Sequence, residues 1–485
     1  MDTNLMKKKY HLYDYLIIIF KSAPLWSLLY LLDEILVSFI PLIKVVFIAR
    51  FLDEVISTIN KGEGNMVSNT IILLLVLAFE YINQALISFV KVKLESNVTI
   101  SVNTMFVQRR AKLKYCYIEN NDAWELIGRV CDKGSENILK GFCNLLWAGR
   151  LFCEIVSISF VIFFQIHWIA LVVLGVSVPL FMLAIRCGKY NYNAYKVAKK
   201  HEQIRDYYKN VMIGREYAGE RVLFGYEDWM REKWFKQYEK GRMARETAER
   251  YNFIKMKSAS LITIFISIFI SGNLIFALRV SDITVGYVIA LIKEVFSLIH
   301  TMSWDLSDII EELVEQKKYL DDLNDFVKMD VEEDVLDAVD DASRIEIKSI
   351  EFEDVSFSYP DSEKQVLQHL SFKLDSKSNY AIVGENGSGK TTITKLLLGI
   401  YDTYDGRILI NGKNIKTIDK RVLKASVGTV FQDFAKYEII LKDYFMAGRT
   451  NNAGLEDEVI KILYDLDFSK DVNYLKELMH KELGR

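Results

Sequence analysis

The chain has 485 residues, room for two or three domains, and a net charge of -3 with no basic excess, which weighs against nucleic acid as a partner. Half of it, 51%, is apolar, yet the mean hydropathy is only +0.11, as expected when a membrane half and a charged soluble half average out. Five cysteines, Cys116, Cys131, Cys143, Cys153 and Cys187, show neither CxxC spacing nor a regular framework, which argues against a zinc site or a disulfide scaffold.

At the N-terminus Lys7, Lys8 and Lys9 precede an aromatic-rich amphipathic stretch, residues 10–20, with no small-residue cleavage site after it. This pattern predicts an interfacial helix rather than a removed leader. Six apolar segments follow, at about 24–47, 71–90, 142–164, 168–185, 261–278 and 285–302, each near the length that crosses a bilayer. The links after the first, third and fifth are short and poor in Lys and Arg. Those after the second and fourth are long and basic, carrying Lys91, Lys93, Arg109, Arg110, Lys112 and Lys114 in one and the stretch 189–257 in the other. Positive charge marks the cytoplasmic side, so both termini are expected inside.

The two long links keep helical periodicity and predict helical hairpins in the cytoplasm, with local breaks at 117–125 and 210–216 that are suited to docking on a soluble domain. Inside the spans lie Asp33, Glu34, Lys44, Glu80, Glu154, Lys293 and Glu294. Such groups either line a wet cavity, which would suit a cationic or amphipathic cargo, or pair across helices, as Glu34 or Glu294 could with Lys44. After the sixth span the chain stays helical to about Lys328 and then runs through acidic residues 330–341, a linker. From Ile345 the apolar period becomes two, through Ile347, Ile350, Phe352, Val355 and Phe357, and a soluble α/β domain begins.

Within that domain Gly384-Glu385-Asn386-Gly387-Ser388-Gly389-Lys390-Thr391 has the form G-x-x-x-x-G-K-[ST] of a phosphate-binding loop. The glycines let successive backbone N–H groups converge on an anion at a helix N-terminus, Lys390 suits the β- and γ-phosphates, and the Thr391 hydroxyl suits Mg²⁺. Residues 380–383 read as a short buried strand before the loop, and 391–400, beginning Thr391-Thr392, as a helix after it.

Six spans, two cytoplasmic hairpins and then a phosphate loop resemble the ATP-binding cassette (ABC) exporters, specifically a half-transporter with its membrane domain ahead of its nucleotide domain. The resemblance implies a six-helix type-1 exporter domain at 1–328, an acidic linker at 329–344 and an α/β P-loop nucleotide-binding domain at 345–485. On the same grounds Tyr359, in Val355-Ser356-Phe357-Ser358-Tyr359-Pro360, matches the aromatic residue that stacks on adenine. Gln432, in Thr429-Val430-Phe431-Gln432-Asp433-Phe434, matches the glutamine that reaches Mg²⁺ and the attacking water. The stretch from Asp405 to Gly412 is similar to the family's segment between those motifs, and the regions around Asn121 and Gly214 sit where the family has its coupling helices.

The implied cofactors are ATP and Mg²⁺, with Thr391 and Gln432 at the metal. The implied setting is the cell membrane, multi-pass, with the nucleotide domain cytoplasmic, in a homo- or heterodimer with a second half-transporter that moves a drug, lipid or peptide. The family's LSGGQ signature, Walker B carboxylates and switch histidine do not occur between Asp433 and Arg485. No catalytic residue is therefore assigned, hydrolysis by a homodimer is not expected, and the nucleotide domain is expected to leave an apolar sheet edge open. The leading reading is an exporter half in an incomplete chain; the alternative is a non-hydrolysing short form that binds ATP and pairs with or regulates a complete half-transporter.

Overall fold

A computed structural model describes residues 9–61, 66–165, 167–278, 283–332, 344–360, 362, 364–432, 434, 437–446 and 454–482. Most of the acidic linker and part of the N-terminal lysine cluster lie outside these residues. The chain forms two compact units, Met1–Phe106 with Arg129–Lys328, and Val107–Gly128 with Met329–Arg485.

The first unit is helical. Helix α1 (Asp14–Ser22) buries Tyr15, Ile18 and Ile19 within the protein. The Tyr15 hydroxyl donates to the Gln316 carbonyl at 2.8 Å, and just before the helix Tyr10 and Asn324 exchange hydrogen bonds, Tyr10 N–H to Asn324 Oδ1 at 2.6 Å and Asn324 Nδ2 to the Tyr10 carbonyl at 3.1 Å. The amphipathic stretch read as interfacial thus spends part of its apolar face on the bundle. The first apolar segment is divided into α2 (Pro24–Ser38) and α3 (Ile40–Lys61). Phe39 turns between them, its N–H taking the Leu36 carbonyl at 3.2 Å, because Pro41 has no N–H to continue the ladder through this point.

The remaining long helices of this unit are α4 (Met66–Ala111), which runs on into the second unit, and then, beyond the first hairpin tip, α7 (Gly134–Gln165), α8 (His167–Ile213), α10 (Glu227–Ala277) and α11 (Val285–Lys328). With 47 residues in α8 and 51 in α10, these helices are about 70 and 77 Å long, more than twice a bilayer core. Short α9 (Ala218–Phe224) lies between α8 and α10, and its Val222, Leu223 and Phe224 are 85%, 76% and 68% exposed.

Among the described residues three segments are long and apolar enough to cross a membrane, Pro24–Ile59, Val67–Ala111 and Gly134–Val161. The bundle core joins Val45 and Ala49 of α3 to Leu151, Ile155 and Ile158 of α7, Cys187 of α8, Ile270 of α10 and Val288, Leu291 and Val295 of α11.

The charges inside the apolar segments pair differently from the sequence reading. Lys44 bonds Glu80 of α4 (2.8 Å to Oε1) rather than Glu34 or Glu294. Arg150 of α7 lies 3.7 Å from Glu34 and 2.9 Å from Glu154, while Lys293 is 3.5 Å from its neighbour Glu294. Asn83 donates to Asp33 at 2.5 Å. Arg150, within the third apolar segment and not among the groups named from the sequence, is the cation that both Glu34 and Glu154 face.

The second unit contains the first hairpin tip, α5 (Tyr115–Glu119) and the first turns of α6 (Asn121–Cys131), divided at Asn120. Asn120 Oδ1 accepts the Ala123 N–H at 2.6 Å, an N-cap that starts α6, and Arg110 stacks its guanidinium over Trp124 at 4.6 Å. Strands β1 (Ser349–Ser358), β2 (Gln365–Asp375), β3 (Asp405–Ile410) and β4 (Lys413–Asn414) form an antiparallel sheet in the order β2-β1-β3-β4.

Phe352, Val355 and Phe357 of β1 are buried. The gap of three between the first two is a bulge at Asp354 (φ 49), which shifts the register against both neighbours. A Cβ on Gly406 would stand 2.3 Å from the Asp354 carbonyl oxygen, so glycine is required where β3 meets the bulge. Ile345 and Ile347 precede the ladder instead of belonging to it.

Helix α12 (Lys390–Leu397) packs Leu396 into the same core, as α13 (Lys420–Ser426) does Leu423. Helices α14 (Leu441–Met446), α15 (Leu455–Asp465) and α16 (Val472–Met479) follow, the last two closing a small core of Leu455, Val459, Ile460, Leu475 and Met479.

The expectation of a buried strand at 380–383 is not met. The segment joins no ladder, and Tyr380, Ile382 and Val383 are 50%, 48% and 88% exposed. A buried central strand needs hydrogen-bonded neighbours, and among the described residues the sheet offers none beside this segment.

Candidate nucleotide site

The loop 384–389 leads directly into α12. Gly387 (φ 82) and Gly389 (φ 91) adopt backbone angles that L-residues avoid, and this lets the chain reverse and present the helix N-terminus. Gly389 is also the N-cap of α12, and no side chain caps the helix, so its first amides face the loop. A Cβ at Gly389 would lie 2.7 Å from Leu367 Cδ2, so the loop also rests closely on β2.

Lys390 Nζ donates to the carbonyls of Gly384 and Glu385, 2.7 Å each. This folds the ammonium back onto the start of the loop. The Ser388 N–H bonds the Glu385 carbonyl at 3.2 Å and tightens the turn. Glu385, Asn386, Gly387 and Ser388 are exposed along the loop, as is Thr391 at the start of the helix, while Thr392 is 4% exposed.

The structure brings Tyr359 to this helix, and its hydroxyl lies 3.0 Å from Thr392 Oγ1. Gln432 is exposed in an irregular stretch, and none of the described hydrogen bonds joins it to the loop. The loop, Lys390, Thr391, Thr392 and Tyr359 therefore form one site, with Gln432 apart from it. For a metal the described residues offer no group of three or more His, Cys, Asp or Glu side chains. A hydroxyl such as that of Thr391, completed by phosphate oxygens and water, is the donor set that Mg²⁺ takes beside a nucleotide.

Residues around Tyr359 escaped the sequence reading. The Lys395 ammonium lies 5.6 Å above the Tyr359 ring and the Tyr401 ring meets it edge-on at 5.5 Å, while Glu119 of α5 bonds both Lys395 and the Tyr401 hydroxyl. Burial is the largest single influence on Lys395 and opposes its charge, but the bond to Glu119 and the attraction of Tyr359, Glu119 and Tyr115 together outweigh it and hold the ammonium above the usual lysine pKa. Burial, followed by the bond to Glu119, pushes the Tyr401 phenol far up. The spacing of Lys395, one turn beyond Thr391 on the same helix face, was the signal available in the sequence.

The ABC transporter family profile matches residues 367–479. Over 89% of its length the chain is 23% identical to the subtilin transport ATP-binding protein SpaT of Bacillus subtilis, covering 69% of that protein. Over 94% it is 22% identical to the nisin transport ATP-binding protein NisT of Lactococcus lactis, covering 76% of that protein. A shorter stretch, 24% of the chain, is 40% identical to the uncharacterized ABC transporter ATP-binding protein YfiC of Bacillus subtilis and covers 19% of it.

In fold the chain is similar to a bacterial Atm1-family ABC exporter solved with ATP bound, with a TM-score of 0.73, 17% identity and coverage of 94% of this chain and 80% of that one. The non-hydrolysing regulatory alternative finds no support among these relatives. With a phosphate-loop segment inside the ABC transporter match, a fold similar to that of an ABC exporter and similarity to ABC transport proteins along nearly its whole length, residues 367–479 are an ABC transporter ATP-binding domain and the helical residues before them have the fold of an ABC exporter.

Proposed function

We propose that the chain works as one half of a dimeric exporter that moves a cationic peptide out of the cytoplasm, with both of its termini and its nucleotide unit on the cytoplasmic side. The observation that carries the ATP-driven part is the loop geometry, Gly387 and Gly389 at positive φ with Lys390, at the head of α12, folded back onto the start of the loop.

In this reading the loop from Gly384 to Thr391 and the Thr392 hydroxyl hold the phosphates, and Tyr359 stacks on adenine. Thr391 and Gln432 would hold Mg²⁺, which on binding supplies charge neutralisation at the β- and γ-phosphates. Thr392 has to exchange its Tyr359 partner for phosphate, and exposed Gln432 has to approach the loop as nucleotide enters. Two nucleotide units closing on ATP would draw the hairpin tips together and turn the cavity between the membrane helices outward. Exposed Val222, Leu223 and Phe224 of α9 give the second tip an apolar face for docking on a nucleotide unit.

The cargo class rests on two supports. SpaT and NisT, named for subtilin and nisin transport, align along nearly all of this chain. In the membrane helices Asp33, Glu34, Glu80 and Glu154 stand against Lys44 and Arg150, an acidic balance that favours a cation. The test is ATP-dependent uptake of fluorescent nisin into inverted vesicles holding the chain. Uptake lost with Lys390→Ala supports the reading. Equal uptake of an anionic peptide of the same length refutes the cargo class, and uptake insensitive to Lys390→Ala refutes ATP drive.

A further inference from the structure

The Glu119 carboxylate, on the last residue of α5, receives Lys395 Nζ on one oxygen and the Tyr401 hydroxyl on the other. It thereby bridges the first hairpin tip to two side chains that surround Tyr359. The Lys395 and Glu119 side chains are 14% and 32% exposed, so the pair is shielded enough for its geometry to hold. The same ammonium lies 5.5 Å above the Tyr115 ring and 5.6 Å above the Tyr359 ring. Tyr401 meets Tyr115 at 6.1 Å and 84°, Tyr359 at 5.5 Å and 87°, and Phe357 at 5.3 Å. The Tyr359 ring is thus set by Lys395, Tyr401, Phe357 and Thr392, and Glu119 ties down the first two.

We propose that Glu119 is a positioning residue for base recognition: through Lys395 and Tyr401 it fixes the plane of the Tyr359 ring, so that the hairpin tip sets how tightly a purine is gripped while the phosphate grip stays independent of it. The proposal rests on the reading of Tyr359 as the base-stacking residue. Stacking depends on ring orientation, and a side chain that must be ordered at the moment of binding spends part of the stacking energy on its own ordering. Glu119 has none of the loop carbonyls or hydroxyls among its partners, so its removal leaves the phosphate grip in place. Because α5 carries Glu119, any movement of the tip is transmitted to the base side of the site. By reciprocity, a bound base holds the tip more firmly than a bare phosphate chain does.

The experiment measures equilibrium binding of Mg²⁺-ATP and of Mg²⁺-tripolyphosphate to the full chain in lipid nanodiscs, for the wild type and for Glu119→Gln, Glu119→Ala, Lys395→Met, Tyr359→Ala and Lys390→Ala. Glu119→Ala is expected to weaken ATP about 3- to 10-fold, the ordering of one side chain, with Glu119→Gln between it and the wild type. Tripolyphosphate affinity is expected to be unchanged in both. Lys390→Ala is expected to weaken both ligands together, and Tyr359→Ala to weaken ATP alone.

Glu119 variants that lower both ligands equally would show a merely structural role and overturn the proposal. So would variants that leave the ATP-to-tripolyphosphate ratio at the wild-type value while Tyr359→Ala lowers it. A ratio indifferent to Tyr359→Ala would overturn the base-stacking reading itself, a result separate from the first two.

Discussion

Replacing Gly387 and Gly389 separately by alanine tests the phosphate loop through steric cost alone. Both have positive φ, 82 and 91, so a Cβ at either costs about 1–2 kcal/mol of backbone strain. At Gly387 nothing lies within 4 Å of the added carbon, and the backbone term stands alone. At Gly389 the carbon would be 2.7 Å from Leu367 Cδ2 and 3.3 Å from Val366 Cγ1. Leu367 is 5% exposed in the sheet core and has little room to move, so overpacking adds about 1 kcal/mol.

Gly387→Ala should therefore weaken Mg²⁺-ATP about 5- to 30-fold, and Gly389→Ala about 30- to 150-fold. The assay is equilibrium ATP binding alongside thermal melting of the same samples. If the free loop relaxes to avoid the strain, the whole cost appears in binding; if it does not, part moves into the melt, and the sum is unchanged. Equal losses at the two positions, or wild-type binding by Gly389→Ala with an unchanged melt, would refute the argument.

Three further predictions concern stability. Gly286, the second residue of α11, donates its N–H to Asp53 Oδ1 at 2.8 Å, and a Cβ there would stand 2.4 Å from the Ala49 carbonyl oxygen. Gly286→Ala should part α3 from α11 at a cost of about 1–3 kcal/mol, read as a lower melting temperature in lipid; an unchanged melt would show that the two helices do not meet here. Glu80→Met should leave Lys44 unpaired in the membrane and destabilise by about 2–4 kcal/mol, with Lys44→Met/Glu80→Met closer to the wild type than the single variant; a double variant worse than Glu80→Met would refute the pairing. Asp419 caps α13 through the Arg421 N–H and its own ion pair with the Arg421 side chain, first among the causes that lower its carboxyl from 3.8 to about 2. Since the folded value is the lower one, the capping contribution is present above the unfolded value and lost as pH falls through about 2. Amide exchange in α13 should separate Asp419→Ala from the wild type at pH 5 and converge near that lower value, whereas a difference that persists there would contradict it.

Hydropathy and charge located the long helices and their hairpins because both follow from periodic properties of the chain. The division at Phe39 was missed, since hydropathy alone reads 24–47 as one span, although Pro41 lacks the N–H that would carry the ladder through. The pairing of Lys44 with Glu80 was not legible either: which charge meets which depends on helix order and rotation, to which spacing along one helix is blind. The turn into α12 was legible, because Gly387 and Gly389 take backbone angles that few other residues adopt. Residues 380–383 misled because an apolar run reports a preference for burial, while burial of a strand also needs neighbours on both sides. Tyr359 was found by position within its motif, but Glu119 lies 240 residues earlier in the chain. Only the folded second unit brings it beside Lys395 and Tyr401, and no local pattern marks it.

The most direct measurement is Mg²⁺-ATP binding by the purified full chain in lipid, beside Lys390→Ala and with melting recorded on both. The account predicts saturable binding by the wild type that stabilises its melt, and loss of that binding in a variant whose nucleotide-free melt matches the wild type. Undiminished ATP binding by Lys390→Ala, or none by a folded wild type, would contradict the assignment of the loop from Gly384 to Thr391 as the site through which this chain uses ATP.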